Sequence, residues 1–123
     1  MSEPHQNQVA VGLVDSLIIA RVRGCPTEAV LQECQSEVLL LARESGVRKV
    51  LYDALEMDPP PVSIPWAQRS LDEQLTDVKL RRAIVVPNTK LAFLARLAFG
   101  DGDYRVFYED KAAAVEWLAE ENI

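Results

Sequence analysis

Residues 105–118 read RVFYEDKAAAVEWL and contain a strand, a helix cap and a helix in direct succession. The aromatic and β-branched run at residues 104–108 is typical of a strand. Asp110 is placed to cap a helix, and the alanine-rich segment 111–120 has the composition of one. This stretch therefore predicts a β-strand that leads into a helix near the end of the chain.

The same order occurs twice more in the middle of the chain. Residues 47–53 (VRKVLYD) and 82–87 (RAIVVP) are short apolar runs with β-branched residues, and a helical pattern follows each of them. Strands that alternate with helices favour a parallel sheet with right-handed crossovers. The two helices are predicted at residues 64–79 and 90–99, with caps at Ser63 and Thr89.

The beginning of the chain has a different pattern. Residues 8–13 and 17–23 resemble strands, and the turn residues between them predict an antiparallel hairpin. A helix is predicted from residue 26 to residue 45, because Pro26 and Thr27 suit its start and Gly46 its end. Its core-facing stripe is predicted to be Val30, Leu31, Cys34, Val38, Leu41 and Ala42. We therefore expect an α/β fold with a single mixed sheet of about five strands, parallel except at the hairpin, packed with four helices.

The composition limits the function classes. A chain of 123 residues with 49% hydrophobic residues fits one domain, which we place at residues 8–123 after a polar N-terminal tail at residues 1–7. The net charge of -6 argues against a nucleic-acid partner, because phosphate binding needs clustered Lys and Arg. No apolar run approaches the roughly 20 residues of a membrane span, and the polar start is unlike a signal peptide. We expect a cytoplasmic protein.

The sequence lacks the histidines and the paired cysteines that common catalytic and metal sites use. Cys25 and Cys34 are not in a CxxC arrangement, and His5, in the polar tail, is the only histidine. Hydrolase triads need a usable histidine. We therefore predict no metal site, no cofactor and no enzymatic activity.

The element order, together with RVFYEDKAAAVEWL and the segment KVLYD at residues 49–53, resembles the STAS-like fold of bacterial anti-sigma factor antagonists. The ending resembles that of an uncharacterised branch of this superfamily, which is often named together with the CRAL-TRIO lipid-transfer domains. The resemblance implies a STAS-like fold and a non-enzymatic regulatory module that binds a protein partner. The lipid-transfer association implies a rival function, a carrier or sensor of a small apolar ligand.

The resemblance also implies a phosphorylation site at Ser63, by its order and approximate spacing after Asp53. The family's usual Asp-Ser-Ser/Thr-Gly segment is absent here, and Asp58-Pro-Pro-Pro-Val-Ser63 stands in its place. The alternative is that Ser63 is only a helix N-cap. A phosphate would also be stabilised at this position, because a helix N-terminus offers free N–H groups.

The proline cluster before Ser63 suggests a recognition loop. Pro59, Pro60 and Pro61 restrict the backbone and favour a stiff, extended conformation. Trp66 lies roughly 200° around the following helix from Ile64 and so points away from its apolar stripe. Either Trp66 is an exposed anchor for a partner, or it folds back on the prolines as a lid.

The helix at residues 90–99 is apolar nearly all round. Phe93 and Leu97 fall on the side opposite Leu91, so something should cover them. The C-terminal helix could do so, and the alternatives are a homodimer, a protein partner or the wall of an apolar pocket. We include both residues with Trp66 and the prolines among the predicted partner-binding residues.

A phosphoacceptor receiver-like domain is a minor alternative. Asp53, Thr89 and Lys111 each follow a predicted strand, as the corresponding residues of a receiver would. That chemistry also needs an acidic pair after the first strand to hold Mg²⁺, and here the first strand leads into a hairpin. We therefore interpret Asp53 as a strand-end residue that caps nearby backbone.

Overall fold

The computed structural model describes residues 8–60, 79–99 and 103–120, which form five strands and three helices. The predicted helix at residues 64–79 lies outside the described residues except for Lys79, which is not helical. In chain order the elements are β1 (Val9–Val14), β2 (Leu17–Val22), α1 (Glu28–Ser45), β3 (Lys49–Asp53), β4 (Arg81–Val86), α2 (Thr89–Phe99), β5 (Tyr104–Tyr108) and α3 (Lys111–Ala119).

The five strands form one mixed sheet in the order β1-β2-β3-β4-β5. β1 pairs with β2 in the antiparallel direction, and all other neighbours are parallel. The predicted α/β class and mixed sheet are confirmed. Of the four predicted helices, the described part of the chain contains three.

The helices lie on both sides of the sheet. α1 packs on β1 and β2, and α2 packs on β4 and β5, on the same face. α3 packs on β3, β4 and β5 from the opposite face, where Leu118 and Ala114 meet Leu51, Ala83 and Val85. We call these the α1/α2 face and the α3 face.

The turns and caps explain where these elements begin and end. Asp15 has a φ of 54° in the hairpin turn, a left-handed conformation that Asp tolerates better than most residues. Thr27 caps α1 by accepting a hydrogen bond from the Val30 N–H at 3.2 Å, and Gly46 ends the helix with a φ of 77°. Asp110 caps α3, as predicted, through the Ala113 N–H at 3.0 Å.

The predicted cap of α2 is wrong. Thr89 is the first residue of the helix, and the side chain of Asn88 accepts the hydrogen bond from the Leu91 N–H at 2.9 Å. Asn is at least as good an N-cap as Thr, so the helix begins one residue earlier than predicted. No helix in the described ranges is long and apolar enough to span a membrane.

Candidate functional site

A cavity of about 70 Å³ lies between α1 and α2, over the central strands of the sheet, and it is partly open to the surface. The three sides of the cavity are formed by strand residues, by helix residues and by the loop after β3. Its described lining residues are Ala20, Val22, Leu31, Cys34, Gln35, Tyr52, Asp53, Ala54, Met57, Pro60, Ile84, Val86, Leu91, Leu94, Ala95, Ala98 and Phe99.

Small side chains create this space. Ala20 and Ala54 line it from the β2 and β3 side, and Ala95 and Ala98 line it from α2. Because an alanine side chain ends at Cβ, each position leaves room that a leucine would fill. The volume exceeds the about 10–15 Å³ that one water requires, so the cavity can admit an apolar group of several heavy atoms.

A few polar side chains interrupt the apolar lining. Gln35 on α1 and Tyr52 on β3 are both buried, and the Tyr52 ring lies 5.6 Å from the ring of Phe99. Burial raises the pKa of the Cys34 thiol to about 12, with smaller contributions from the charges of Glu37 and Glu33. The thiol is therefore protonated at neutral pH and does not act as a nucleophile there.

The loop after β3 is fixed to the end of β2. Gly24, whose φ is 67°, receives a hydrogen bond at its carbonyl from the Asp58 N–H at 2.8 Å, and its own N–H donates to the Glu56 carbonyl at 2.9 Å. These bonds hold Met57 and Pro60 against the cavity. Pro59 is exposed, whereas Pro60 is buried. Of the predicted partner-binding prolines, Pro59 is thus the one described at the surface.

Pro61, Ser63 and Trp66 lie outside the described residues, so their predicted roles in partner binding and phosphorylation stay predictions. Both interpretations of Trp66, an exposed anchor for a partner and a lid on the prolines, therefore stay predictions. The same holds for the N-terminal tail at residues 1–7.

The outer side of α2 is partly uncovered. Phe93 is 52% exposed, and Leu97 is half-buried against the core. α3 lies on the other face of the sheet, so the prediction that it could cover Phe93 and Leu97 is wrong. Phe99 differs from these two residues, because it is buried and lines the cavity.

A second group of polar residues lies at the carboxyl end of β3. The Asp53 carboxylate, whose side chain is 6% exposed, accepts a hydrogen bond from the Leu55 N–H at 3.1 Å. It also contacts the Lys111 Nζ at 2.7 Å and the Arg21 Nε at 3.5 Å. Asp53 therefore caps local backbone, as predicted, and joins β2, β3 and α3 as well.

The environment of Asp53 changes its pKa in two directions. Burial is the largest single effect and acts to raise the pKa. The hydrogen bonds from Lys111 and Leu55, with the positive charges of Lys111 and Arg21, together outweigh burial and lower the pKa below its ordinary value. Asp53 is therefore ionised at neutral pH.

The proximity of Asp53 and Lys111 agrees with one part of the receiver-like alternative. The metal site of that alternative has no counterpart among the described residues, where no three potential ligands lie close enough to hold a metal ion. The carboxylate is instead occupied by Lys111 and Arg21. The arrangement thus supports an ionic link between elements.

Sequence reasoning missed most of the cavity. The predicted site residues were prolines and large exposed side chains, whereas the cavity depends on alanines and on Gln35 and Tyr52. The available signal was the repeated small residue on α2, at Ala95 and Ala98, opposite Ala20 on β2. Two facing elements with small residues leave a gap between them unless another group fills it.

Comparisons with known proteins support the fold. No family model and no curated protein matches this chain. A solved structure of an uncharacterised protein of the DUF3478 family from Shewanella loihica, described as having a SpoIIAA-like fold, is similar with a TM-score of 0.60. The two chains are 23% identical over 90% of this chain and 92% of that one. The SpoIIAA-like fold is the STAS-like fold that the sequence predicts. The association with CRAL-TRIO domains stays a prediction.

Proposed function

We propose that this STAS-like domain is a non-enzymatic binding module that holds a small, largely apolar ligand in the cavity between α1 and α2. The cavity itself is the observation that carries the proposal. Burying apolar surface there contributes about 25 cal/mol per Å² to binding. The proposal selects the carrier or sensor function over the protein-interaction module as the primary activity.

The chemistry of the lining defines the ligand class. The lining is mostly apolar, with polar side chains at Gln35, Tyr52 and Asp53, so a ligand that is largely hydrocarbon and carries few polar atoms fits best. The protonated Cys34 thiol adds no charge. A cavity of about 70 Å³ admits a short alkyl chain or one arm of a larger ligand whose remainder extends through the open side.

Two measurements test the proposal. Native mass spectrometry of the purified protein is expected to show a co-purified small molecule that denaturation releases. Titration with n-alkanols of increasing length, followed by amide NMR, is expected to shift Cys34, Tyr52 and Phe99 most. The absence of both signals would contradict the proposal.

A matched pair of variants controls for the effect of added bulk. Ala95→Leu places a larger side chain in the cavity, whereas Ala112→Leu places the same group on the exposed side of α3. Ala95→Leu is expected to weaken alkanol binding about tenfold or more, and Ala112→Leu should leave it unchanged. Equal affinities in the two variants would show that the alkanols bind elsewhere.

A protein partner remains the second candidate function, and the exposed ring of Phe93 favours it. Aromatic side chains are common anchors of protein interfaces. A homodimer through Phe93 and Leu97 is one form of this proposal. It is compatible with ligand binding, because Phe93 and Leu97 do not line the cavity. We place both activities in the cytoplasm.

A further inference from the structure

The opening of the cavity is bordered by residues from three different elements. Leu31 on α1, Met57 on the loop after β3 and Ala95 on α2 are half-buried, whereas the other described residues of the lining are buried. A residue that lines a cavity and also keeps contact with solvent lies where the cavity meets the surface. Within the described ranges, these three residues therefore form the mouth of the cavity.

The three mouth residues differ in how much of the opening they can cover. The side chain of Ala95 ends at Cβ, so it covers little. Leu31 is branched and belongs to a helix that is packed on β1 and β2. Met57 has an unbranched side chain with three rotatable bonds and a thioether, which lets methionine adapt its shape to its surroundings. Of the three, Met57 is therefore best suited both to cover the opening and to turn aside.

The backbone at Met57 is held on both sides. Gly24 and Met57 form an isolated parallel bridge, in which the Gly24 N–H donates to the Glu56 carbonyl and the Asp58 N–H donates to the Gly24 carbonyl. The Met57 N–H donates to the Ala54 carbonyl at 3.1 Å. Both peptide groups that flank the Cα of Met57 are therefore hydrogen-bonded.

The segment that holds the loop is itself fixed. The side-chain amide of Gln8 donates hydrogen bonds to the carbonyls of the residues before and after Gly24, at 3.1 Å and 3.3 Å. Arg23 also pairs with Glu56 at 3.6 Å, but both side chains are exposed to solvent, so this pair adds little. Movement of the loop would break several backbone hydrogen bonds at once. Rotation about the side-chain bonds of Met57 breaks none of them.

We propose that Met57 is the gate of the cavity: its side chain covers the mouth, turns aside without movement of the loop, and admits an unbranched chain while excluding a branched one. This inference rests on the proposed function, because it concerns the entry of the ligand into the same cavity. A cavity of about 70 Å³ has room for several heavy atoms in a chain and little room for a branch beside them. The ligand class is thereby narrowed to linear alkyl chains.

A linear alcohol and its branched isomer test this selectivity. 1-Hexanol and 2-ethyl-1-butanol contain the same atoms and differ only in branching. The unaltered protein should bind 1-hexanol about tenfold more tightly than the isomer. Met57→Ala, which removes most of the gate, should reduce this preference to less than about threefold, chiefly by strengthening the binding of the isomer. Amide NMR titrations that follow Cys34 and Tyr52 measure the affinities.

Leu55→Ala is the matched control. Leu55 is half-buried on the same loop, but it packs with the cluster on the α3 face, whereas Met57 packs with the cluster on the α1/α2 face. Leu55→Ala should therefore keep the preference of about tenfold for 1-hexanol. A loss of the preference in both variants would show that the loop as a whole, and not the Met57 side chain, selects the ligand. An unchanged preference in Met57→Ala would also overturn the proposal.

Hydrogen exchange identifies the part that moves, and it decides the matter if Met57→Ala fails to fold. When only the side chain turns, the amide protons of Gly24 and Asp58 stay hydrogen-bonded across the bridge. In the unaltered protein, both amides should exchange about tenfold or more slowly than unprotected amides, with and without 1-hexanol. Exchange of both amides at the unprotected rate would show that the loop opens as a unit and would overturn the gate.

The outcomes separate this inference from the proposed function. If neither alcohol binds the unaltered protein, the cavity is not a ligand site and both proposals fail. If the two alcohols bind the unaltered protein equally well and Ala95→Leu weakens both, the cavity is a ligand site and the gate alone is overturned.

Discussion

The α3 face of the sheet is packed side chain against side chain between α3 and β3–β5, whereas the α1/α2 face leaves a cavity between its helices. On the first, Leu118 and Ala114 are fully buried against strand residues. The Arg81 guanidinium also lies 3.7 Å from the centre of the Trp117 ring and donates a hydrogen bond to the Trp117 carbonyl at 3.2 Å. On the second, facing alanines keep α2 from filling the space over the strands.

The difference shows that alanine has opposite effects in the two places. Ala114 has a relative exposure of 0% and allows α3 to approach the sheet closely. Ala98 is also buried, but it borders empty space. Burial alone therefore does not measure how tightly a side chain is packed.

The largest effect is expected from Leu118→Ala. Leu118 is fully buried on the α3 face, so its truncation should lower the free energy of unfolding by about 2–5 kcal/mol. Leu31→Ala, at a half-buried position beside the existing cavity, should cost less than about 2 kcal/mol. Urea denaturation of the two variants measures both values. Similar losses would mean that the two faces are equally well packed.

Replacing a buried alanine with leucine should destabilise the protein on the α3 face but not on the α1/α2 face. Ala114→Leu is expected to destabilise the protein by about 1–3 kcal/mol, because the added atoms have no space between α3 and the sheet. Ala98→Leu should change the stability by less than about 1 kcal/mol or increase it, because the side chain enters the cavity. Thermal and urea unfolding provide the comparison. A large loss in Ala98→Leu would show that the cavity is too narrow for the added group.

The ionic link at Asp53 should contribute a smaller, pH-dependent amount. The folded-state pKa is lowered, so the contribution is fully present above the unfolded-state pKa of about 4 and is lost as pH falls through the folded-state pKa. Asp53→Asn should cost about 1 kcal/mol or less at pH 7, because Lys111 and Arg21 are partly exposed to solvent.

The difference in stability between Asp53→Asn and the unaltered protein should shrink steadily below about pH 4. Urea denaturation at a series of pH values measures this. Glu56→Gln is the control, because Glu56 is more than half exposed and pairs with Arg21 and Arg23 at longer distances than Lys111 keeps from Asp53. A difference that does not depend on pH would show that the negative charge of Asp53 does not contribute to stability.

The smallest effect on stability is expected at Phe93. Because its ring is half exposed, Phe93→Ser should change the free energy of unfolding by about 0.5 kcal/mol or less. The same variant should abolish self-association if α2 forms the predicted homodimer. Light scattering over a range of concentrations measures the dimer. A monomer at high concentration in the unaltered protein would exclude it.

Much of the fold could be predicted because local signals agree with the final structure. The predicted strand at residues 104–108 matches β5, and Gly46 and Asp110 occupy the predicted cap positions. Other boundaries move by one or two residues where two strong signals compete. Asn88 and Thr89 are adjacent and both are good caps, so the sequence alone did not choose between them.

The position of α3 could not be predicted from its own sequence. KAAAVEWLA has apolar residues on every side, so its periodicity does not specify which side is buried. Its location on the opposite face depends on contacts with Leu51, Ala83 and Val85, which are distant in sequence. The cavity was missed for a related reason, because an absence of atoms depends on how two distant elements pack.

The α1 stripe shows the same limit on a smaller scale. The periodicity correctly identified Val30, Cys34, Val38 and Ala42 as buried. Gln35 and Leu39 are buried more deeply than the predicted Leu31 and Leu41, because α1 is rotated slightly towards them. A helical pattern fixes the centre of a buried face well, but tertiary packing decides its edges.

The strand order also has a consequence for the folding of the chain during synthesis. Each strand pairs with the strand that precedes it in the sequence, so the sheet can grow in the order in which residues leave the ribosome. Short sequence separations between paired strands favour fast folding. The ion pair between Asp53 and Lys111, however, can form only after Lys111 has been translated, 58 residues later. Until α3 arrives, the α3 face of the growing sheet remains open to solvent and to chaperones.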